Sequence, residues 1–416
     1  MKNNGKIYGL IGRALGHSWS LPLHHALGCP SYRLIELEPD ALPGFLSRED
    51  IGGLNVTMPY KKAVMPYCDW IDEQAAEIGS VNTLVRGADG KLRAWNTDAP
   101  GFRMMAELAN VSFTGHKVVI LGSGGASLSV QSEVRRQCPR EMVVISRDGP
   151  DNYGNLSRHA DAEILVNATP VGMYPHNGAA PVDLTQFPAL KGVLDLIYNP
   201  RRTALLLQAE SLGIPCSDGL PMLVAQAAKA ESLFFDVEIP DAAASDALTC
   251  LRQDRTNIVL IGMPGSGKST VGHALEALTG REAVDIDRRI SRRAGKAIPE
   301  IFASDGEAAF RELERAEIAD AGRETGKILI AGGGAVKDER NCASLRQNGR
   351  VYHLIRDLSL LPTDGRPLSQ QTPLAQLWEE RKALYARFRD VEIDNNGEIQ
   401  DAAKTIWREF CAHSGD

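Results

Sequence analysis

The chain has 416 residues, which is too many for one ordinary hydrophobic core and predicts two or three domains. Its composition is 43% hydrophobic and 24% charged, as in an ordinary globular protein. The formal charge of −7 divides into −5 for residues 1–252 (22 basic, 27 acidic) and −2 for residues 253–416 (24 basic, 26 acidic), so neither half has the basic excess of a nucleic-acid-binding protein.

The first residues, MKNNGKIYGLIG, predict a short strand that enters a loop rather than a signal peptide. No stretch approaches the roughly 18 continuous apolar residues that a membrane-spanning helix needs. The seven cysteines are scattered and form no CxxC pair, which argues against a disulfide framework or a zinc site. We therefore expect a reduced, cytoplasmic protein with small-molecule substrates and no nucleic-acid or membrane partner. Homo-oligomerisation stays open.

Short apolar runs that are typical of buried strands alternate with helix-like segments along the whole chain. In chain order the runs are KIYGLI, GLNVTM, KVVILG, EMVVIS, EILVNA, GVLDLIY, NIVLIG, KILIAG and RVYHLI. The segment STVGHALEALTG predicts a helix with Gly280 at its C-cap and with four residues on its apolar face, namely Val271, Ala274, Leu275 and Leu278. This alternation predicts an α/β protein with parallel sheets and helices on both faces of each sheet.

The boundary between the two halves has no linker rich in proline, glycine or serine. The segment PDAAASDALTCLRQ, residues 240–253, predicts a last helix, and the next strand begins at Asn257. We therefore place the join near residues 252–256.

A glycine-rich loop, VVILGSGGAS at residues 118–127, joins a predicted strand to a helix-like segment. A dinucleotide-binding unit begins in this way, because glycines let the backbone approach a pyrophosphate and a helix N-terminus favours its negative charge. A plain strand–helix turn is the alternative. At the end of the next strand, Arg147 suits the 2′-phosphate of NADP, whereas an acidic residue there would favour NAD, and Asp148 follows directly. We favour NADP.

Seven further motifs surround this loop. In chain order they are HSWS (17–20), NVTMPYK (55–61), GSVNT (79–83), NTDAPGF (96–102), NATPVGM (167–173), DLIYNP (195–200) and GLPMLVAQA (219–227). In order and spacing they resemble the shikimate dehydrogenase family across roughly residues 5–250. The resemblance implies NADP-dependent reduction of 3-dehydroshikimate to shikimate. It also implies an α/β catalytic domain at residues 1–100, completed by 215–252, and a Rossmann domain at residues 101–214.

A hydride-transferring enzyme that reduces a ketone needs a proton donor beside the carbonyl oxygen, held in place by a partner. Lys61 and Asp98 can supply the ammonium and the carboxylate, and by resemblance they are the catalytic pair; a solvated lysine is the alternative, as for Lys62. The resemblance also implies the shikimate-binding residues, namely Ser18, Ser20, Thr57, Lys61, Asn82, Asp98, Tyr198 and Gln226. It implies the NADP-binding residues as well, namely Gly122, Ser123, Gly124, Gly125, Ala126, Arg147, Thr169 and Gly219.

Two features depart from the family pattern. Leu21 stands where the family usually has proline. The span between Arg147 and the NATPVGM motif is short, so we expect one helix–strand unit of the cofactor domain to be trimmed.

The stretch GMPGSGKS, residues 262–269, fits the phosphate-loop pattern GxxxxGK[ST]. Backbone N–H groups of such a loop wrap phosphate oxygens, Lys268 reaches the β- and γ-phosphates, and Ser269 can coordinate magnesium. A strand–helix turn that contains GKS by chance is the alternative. The loop predicts an ATP site at Gly265, Ser266, Gly267, Lys268, Ser269 and Thr270.

Five motifs follow the phosphate loop, namely VDIDRRI (284–290), FASDGEAAFRELE (302–314), ILIAGGGAV (328–336), GRPL (365–368) and RKALY (381–385). The first of them predicts a strand with Asp285 and Asp287 at its end. The order of the five motifs resembles shikimate kinase over about residues 257–394, in a P-loop kinase domain of residues 257–416. The resemblance implies ATP- and Mg²⁺-dependent phosphorylation of shikimate to shikimate 3-phosphate.

The kinase resemblance also implies roles for individual residues. Asp285 holds magnesium with Ser269, and Asp287 orients and activates the substrate hydroxyl. Lys268 and the lid arginine Arg366 act on the transferring phosphate, and Arg366 belongs to the ATP site. The substrate ring and carboxylate are held by Asp287, Arg311, Gly332, Gly333, Gly334 and Arg381.

The two resemblances together predict a bifunctional enzyme, and two alternatives stay open. The first is a shikimate or quinate dehydrogenase with a degenerate, regulatory or ATP-binding kinase-like module. The short segment before GRPL motivates it, and no arginine follows EIDNN (392–396), where such kinases often place one against adenine. The second is a kinase for another small hydroxylated metabolite, fused to an unrelated Rossmann enzyme.

Overall fold

The computed structural model describes residues 5–16, 18–361 and 373–413. The chain divides into two compact units. The first consists of Met1–Met173 and Ala179–Leu248, and the second of Tyr174–Gly178 and Thr249–Asp416. Among the described residues, we find no helix that combines the length and the apolar character of a membrane span.

The first unit begins with a six-stranded mixed sheet in the order β2-β1-β3-β5-β6-β4. Its strands are β1 (Ile7–Gly12), β2 (Tyr32–Glu36), β3 (Ile51–Val56), β4 (Trp70–Ile71), β5 (Thr83–Arg86) and β6 (Leu92–Trp95). β1 is parallel to β2 and β3, but β5 is antiparallel to both β3 and β6. The predicted α/β fold with parallel sheets is confirmed, but this sheet is mixed, because the turn between β5 and β6 is too short for a crossover connection.

The second sheet of this unit has five parallel strands in the order β11-β10-β9-β7-β8. They are β7 (Lys117–Leu121), β8 (Glu141–Ile145), β9 (Ile164–Asn167), β10 (Gly192–Asp195) and β11 (Cys216–Ser217). The connection from β8 to β9 contains one 3₁₀ turn, Leu156–His159, and no α-helix. The short span noted in the sequence thus corresponds to a crossover without its helix.

The described part of the first 255 residues contains nine α-helices, and the last of them, α9, continues from the first unit into the second. They are α1 (Ser20–Ala26), α2 (Leu42–Leu46), α3 (Tyr60–Ala63), α4 (Glu73–Ile78), α5 (Asp98–Leu108), α6 (Gly125–Arg136), α7 (Ala204–Ser211), α8 (Leu220–Phe235) and α9 (Asp241–Arg255). The predicted last helix is thus α9, and a single residue, Thr256, separates it from the next strand.

The second unit contains a five-stranded parallel sheet in the order β13-β14-β12-β15-β16. Its strands are β12 (Asn257–Ile261), β13 (Ala283–Asp285), β14 (Ile328–Ile330), β15 (Gly349–Ile355) and β16 (Val391–Asp394). Its helices are α10 (Lys268–Thr279), α11 (Ile286–Ala294), α12 (Ile298–Ser304), α13 (Gly306–Arg323), α14 (Glu339–Arg346), α15 (Leu374–Phe388) and α16 (Ile399–His413).

Both faces of this third sheet are covered. Val259 and Ile261 belong to one buried cluster, whereas Ile258 and Leu260 belong to another. Because successive strand side chains point to opposite faces, helices must pack on both sides.

The predicted helix after the phosphate loop is α10, and its C-cap is confirmed. Gly280 has φ +74°, and its N–H donates to the Glu276 carbonyl at 2.8 Å. Three predicted face residues, Val271, Ala274 and Leu275, are buried, but Leu278 in the last turn is 45% exposed. Leu278 shares the apolar face of α10 but is not buried, because the last turn of the helix extends beyond the buried core.

Candidate active sites

Lys61 and Asp98 form an ion pair in the first unit. The Lys61 Nζ lies 2.5 Å from Oδ2 of Asp98, and the two side chains are 16% and 10% exposed. Asn82 donates from Nδ2 to the other carboxylate oxygen of Asp98 at 2.9 Å. Because each oxygen of Asp98 has its own donor, the carboxylate is fixed in orientation and can hold the lysine ammonium in one place.

Asn96 holds Asp98 in position, and residue-by-residue sequence reasoning did not single it out. Its Oδ1 accepts from the backbone N–H groups of Asp98 and Ala99, at 3.1 and 3.3 Å, and so satisfies the first two N–H groups of α5 from the position before the N-cap residue, Thr97. Its Nδ2 donates to the Ser80 carbonyl at 2.9 Å. An Asn two residues before an acidic first-turn residue is the local signal that could have found it.

Ser18 and Ser20 lie on either side of Trp19, where α1 begins. Ser18 Oγ donates to Ser20 Oγ at 3.1 Å and accepts from the Ser20 N–H at 3.2 Å. The ring of Trp19 packs against that of Tyr198, with centroids 5.1 Å apart. This contact brings Tyr198 to the serine pair.

Thr57 and Gln226 are the remaining predicted substrate residues. The Thr57 N–H donates to the Ile11 carbonyl at 3.0 Å, which holds Thr57 at the carboxyl ends of β1 and β3. Oγ1 of Thr97 lies 3.5 Å from Oε1 of Gln226, and Thr97 directly precedes Asp98. Gln226 is therefore linked to the Lys61–Asp98 pair through one residue.

The glycine loop of the first unit lies against two predicted site residues. Gly122 has φ +101°, and a Cβ placed there would come within 2.9 Å of Thr169 Cγ2, so only glycine fits. A Cβ placed on Gly125 would lie 3.9 Å from Cδ of Lys61. The loop that is predicted to hold the cofactor is therefore adjacent to the predicted proton donor.

The other predicted cofactor residues lie at the ends of the second sheet's strands. Thr169 donates to Asn167 Oδ1 from both its N–H and its Oγ1, at 3.0 and 2.7 Å. The Gly219 N–H donates to the Ile197 carbonyl at 2.9 Å, just before α8. Ser123, Gly124 and Ala126 belong to the glycine loop and to the first turn of α6.

Arg147 follows β8 and is exposed. It makes no hydrogen bond or ion pair with another residue that the structure describes. β8 is parallel to β7, so Arg147 and the glycine loop both follow the carboxyl ends of their strands, at the same edge of the sheet.

A buried pair joins the two helices that carry Ser20 and Gln226. His24 Nδ1 on α1 lies 2.6 Å from Oε1 of Glu231 on α8, and both side chains are fully buried. Burial lowers the pKa of His24, whereas its hydrogen bond to Glu231 raises it. The two residues are 207 positions apart, so no local pattern could have paired them.

In the second unit, nearly all the predicted site residues line one cavity of about 440 Å³. The predicted residues on its wall are Gly265, Gly267, Lys268, Ser269, Thr270, Asp285, Asp287, Arg311, Gly332, Gly333, Gly334 and Arg381. Ser266 is buried and off the cavity wall. Arg366 and the GRPL motif lie outside the described residues.

The phosphate loop has the backbone of an anion-binding turn. Gly265 and Gly267 have φ values of +87° and +92°. A Cβ placed on Gly267 would lie 2.5 Å from Nδ2 of Asn395, so glycine is required there. Lys268 folds its Nζ over the loop and donates to the Gly262 and Met263 carbonyls, both at 3.0 Å.

Two acidic residues lie beside this loop. Ser269 Oγ donates to Oδ2 of Asp285 at 3.1 Å, and Asp285 ends β13. Asp287 was predicted at the end of the same strand, but it lies in the first turn of α11, because β13 is only three residues long. Burial raises the pKa of Asp287 to about 6; the Asp285 charge raises it as well, and Lys268 lowers it.

The glycine triplet passes between this acid and the predicted substrate arginines. A Cβ on Gly332 would lie 2.9 Å from Oδ1 of Asp287, and one on Gly334 would lie 2.8 Å from Nη1 of Arg311. Arg381 donates from Nη1 to the Gly333 carbonyl at 3.1 Å. Side chains at Gly332 and Gly334 would therefore displace the charged ends of Asp287 and Arg311.

Two residues that sequence reasoning left unassigned hold this wall in place. Glu314 is buried and accepts from Arg311 Nη1 at 2.7 Å, which aims the guanidinium. The Tyr385 hydroxyl donates to the same Gly333 carbonyl as Arg381, at 2.6 Å. Tyr385 follows Arg381 by four residues on α15, so helical spacing was the available signal.

Two family models match the chain. The model described as shikimate dehydrogenase substrate binding domain matches residues 10–84, and the model described as shikimate kinase matches residues 264–411.

Individual relatives match the N-terminal part. A shikimate dehydrogenase (NADP(+)) of Clostridium perfringens strain SM101 is 34% identical over 255 residues, which cover 56% of this chain and 94% of the relative. A chorismate mutase/shikimate 5-dehydrogenase fusion protein from Clostridium acetobutylicum has a TM-score of 0.57 at 34% identity, covering 60% of this chain and 98% of that one. Shikimate 5-dehydrogenase from Thermus thermophilus, in complex with NADP(H) and shikimate, has a TM-score of 0.53 at 31% identity. The match covers 58% of this chain and 98% of that one.

Asn96→Ala should fray the start of α5. Loss of a side-chain acceptor at a helix N-terminus costs about 1 kcal/mol, and a buried donor left unpaired costs more, so amide exchange in the first turn of α5 should accelerate by about tenfold or more. Hydrogen–deuterium exchange measures this directly. Asp72→Ala is the control, because Asp72 at the N-cap of α4 accepts from the backbone N–H groups of Gln74 and Ala75; it should accelerate exchange in α4 only. Unchanged exchange at Asp98 and Ala99 in Asn96→Ala would contradict the assignment.

Proposed function

Since the chain belongs to the shikimate dehydrogenase family and carries a shikimate kinase domain in its C-terminal part, we propose that it catalyses two consecutive reactions of the shikimate pathway. The first reaction is the NADP-dependent reduction of 3-dehydroshikimate to shikimate. The second is the ATP-dependent phosphorylation of shikimate to shikimate 3-phosphate.

The Lys61–Asp98 pair beside the glycine loop carries the proposal for the reduction. Bound NADPH supplies the hydride. Lys61 donates a proton to the substrate oxygen as negative charge develops there, and Asp98 keeps the ammonium aimed. The glycine loop fits a dinucleotide, because a side chain at Gly122 would collide with Thr169 where the backbone must stay open.

The substrate of this reaction is a small ring acid that carries hydroxyl groups. Hydroxyl and amide side chains suit it, because they can donate to and accept from ring hydroxyls without adding charge. We assign this role to the polar residues that the sequence predicts for it, namely Ser18, Ser20, Thr57, Asn82, Tyr198 and Gln226.

The cavity of the second unit carries the proposal for the phosphorylation. Bound ATP with Mg²⁺ supplies the phosphoryl group. Asp287 accepts the proton of the substrate hydroxyl, and Lys268 neutralises charge on the phosphate oxygens. Ser269 and Asp285 would hold magnesium, and their hydroxyl and carboxylate oxygens are ligands that this ion prefers. Arg311, Arg381 and the glycine triplet would hold the substrate carboxylate and ring.

One incubation tests both activities. Protein supplied with 3-dehydroshikimate, NADPH and ATP–Mg²⁺ should accumulate shikimate 3-phosphate, and ADP release should depend strictly on shikimate. If the protein binds ATP but never phosphorylates shikimate, the second domain is a degenerate or regulatory module. If a different hydroxylated metabolite is phosphorylated instead, the two domains serve unrelated reactions.

Lys61→Ala should lower dehydrogenase turnover about 10²- to 10⁴-fold, because it removes a positioned proton donor, and NADPH binding should stay nearly unchanged. Steady-state reduction of 3-dehydroshikimate and NADPH titration measure the two effects. The neighbouring Lys62→Ala is the matched control, since Lys62 is exposed and forms no ion pair with a described residue; it should behave as wild type. Normal turnover in Lys61→Ala would remove this residue from the mechanism.

Arg147→Ala should weaken the use of NADP far more than that of NAD, because the guanidinium pairs with the 2′-phosphate that only NADP carries. The measurement is kcat/KM for each cofactor. A charge-assisted contact of this kind corresponds to about tenfold or more in NADP preference. Equal losses for both cofactors would show that Arg147 does not recognise the 2′-phosphate.

The kinase reaction should lose kcat/KM as the pH falls below about 6, because burial raises the pKa of Asp287 to about 6 and its protonated form cannot accept the hydroxyl proton. Above that pH the carboxylate is ionised and the profile should flatten. The dehydrogenase activity of the same preparation is the control for general damage. A kinase profile that stays flat from pH 5 to pH 8 would exclude Asp287 as the base.

A further inference from the structure

Arg356 is an unassigned cation on the wall of the second unit's cavity. It directly follows β15, which is the parallel neighbour of β12, and the phosphate loop directly follows β12. A Cβ placed on Gly267 would lie 3.9 Å from Nη1 of Arg356. Its guanidinium therefore lies beside the last glycine of the phosphate loop.

The backbone on both sides of Arg356 is fixed by the turn that follows β16. The Asn395 N–H donates to the Ile355 carbonyl at 2.8 Å, and the Asp357 N–H donates to Asn396 Oδ1 at 2.8 Å. Asn395 also donates from Nδ2 to the Ser266 carbonyl at 2.7 Å. The same turn thus holds both the arginine and the phosphate loop, so their spacing is set by the sheet.

The guanidinium of Arg356 has no protein partner among the described residues. The other described cations on this wall are engaged: Lys268 with loop carbonyls, Arg311 with two glutamates and Arg381 with the Gly333 carbonyl. Nε of Arg356 is buried without a hydrogen bond. A buried donor of this kind is expected to find an acceptor, and a ligand in the cavity that Arg356 lines can supply one.

We propose that Arg356 binds α- or β-phosphate oxygens of the nucleotide in the kinase site. The inference rests on the proposed kinase function and adds a phosphate contact to it. The N–H groups of a phosphate loop surround the α- and β-phosphates, and the arginine lies on that side of the loop. Because it directly follows β15, the sheet fixes where its charge is placed.

Binding measurements test this without turnover. Calorimetric titrations in the presence of Mg²⁺ would use pyrophosphate, ADP and adenosine against wild type, Arg356→Ala and Arg356→Lys. In Arg356→Ala, the dissociation constants of pyrophosphate and ADP should rise about tenfold or more, while that of adenosine stays unchanged. Arg356→Lys should retain part of the affinity, because a lysine keeps the charge but not the planar fork.

Arg408→Ala is the matched control. It removes one positive charge from an exposed position on α16 that is not on the cavity wall, so it should bind all three ligands as wild type does. Should Arg356→Ala fail to fold, Arg356→Lys and Arg356→Gln carry the comparison, and Gln should show the larger loss.

The outcomes separate this inference from the kinase function. Weaker adenosine and ADP binding with unchanged pyrophosphate binding would place Arg356 against the base and overturn the proposal. Unchanged binding of all three ligands would place it outside the nucleotide site. If wild type binds pyrophosphate but never phosphorylates shikimate, the proposed function fails while Arg356 is still judged by its titrations. A wild type that binds neither pyrophosphate nor ADP would overturn both.

Discussion

The chemistry of both units depends on one constraint of parallel sheets: the carboxyl ends of neighbouring strands open onto the same edge. In the second unit, β12, β13 and β14 end in the phosphate loop, in Asp285 and in the glycine triplet, respectively. Loops that are far apart in sequence therefore share one cavity. In the first unit the same rule holds for β7 and β9, which end beside Gly122 and Thr169.

Within the first unit, the carboxylate of Asp98 connects the start of α5 to the proposed catalytic lysine, Lys61. Lys61 and Asn82 donate to its two oxygens, and Asn96 fixes its backbone at the start of α5. Asn96 thus acts on the ion pair through the backbone of Asp98. A scaffold of this kind would keep the proposed proton donor, Lys61, in place before the substrate arrives, which is how electrostatic preorganisation lowers a barrier.

Local patterns predicted the elements that are specified by residues within about ten positions of one another. Both glycine loops, the helix α10 with its Gly280 cap, and the principal buried strands follow from such patterns. The pair His24–Glu231 could not be predicted, since its members are 207 residues apart and only the packed helices bring them together. The helical position of Asp287 was missed for the opposite reason, because β13 is shorter than the apolar pattern around it suggested. The roles of the site residues came from resemblance rather than from pattern, because geometry places groups without naming their ligands.

The two glycine loops differ in the positive charge that lies beside them, and this difference matches the two proposed reactions. Gly122 lies against Thr169, and no lysine belongs to that loop, so the backbone and the start of α6 are the main features offered to an anion. A cofactor's pyrophosphate needs no more, because its charge stays constant while the hydride moves. In the second loop, Lys268 follows Gly267 directly, and Arg356 is fixed beside it. Charge on a phosphoryl group is redistributed during transfer, so cations held by the sheet and the loop can stabilise the transition state more than the bound nucleotide.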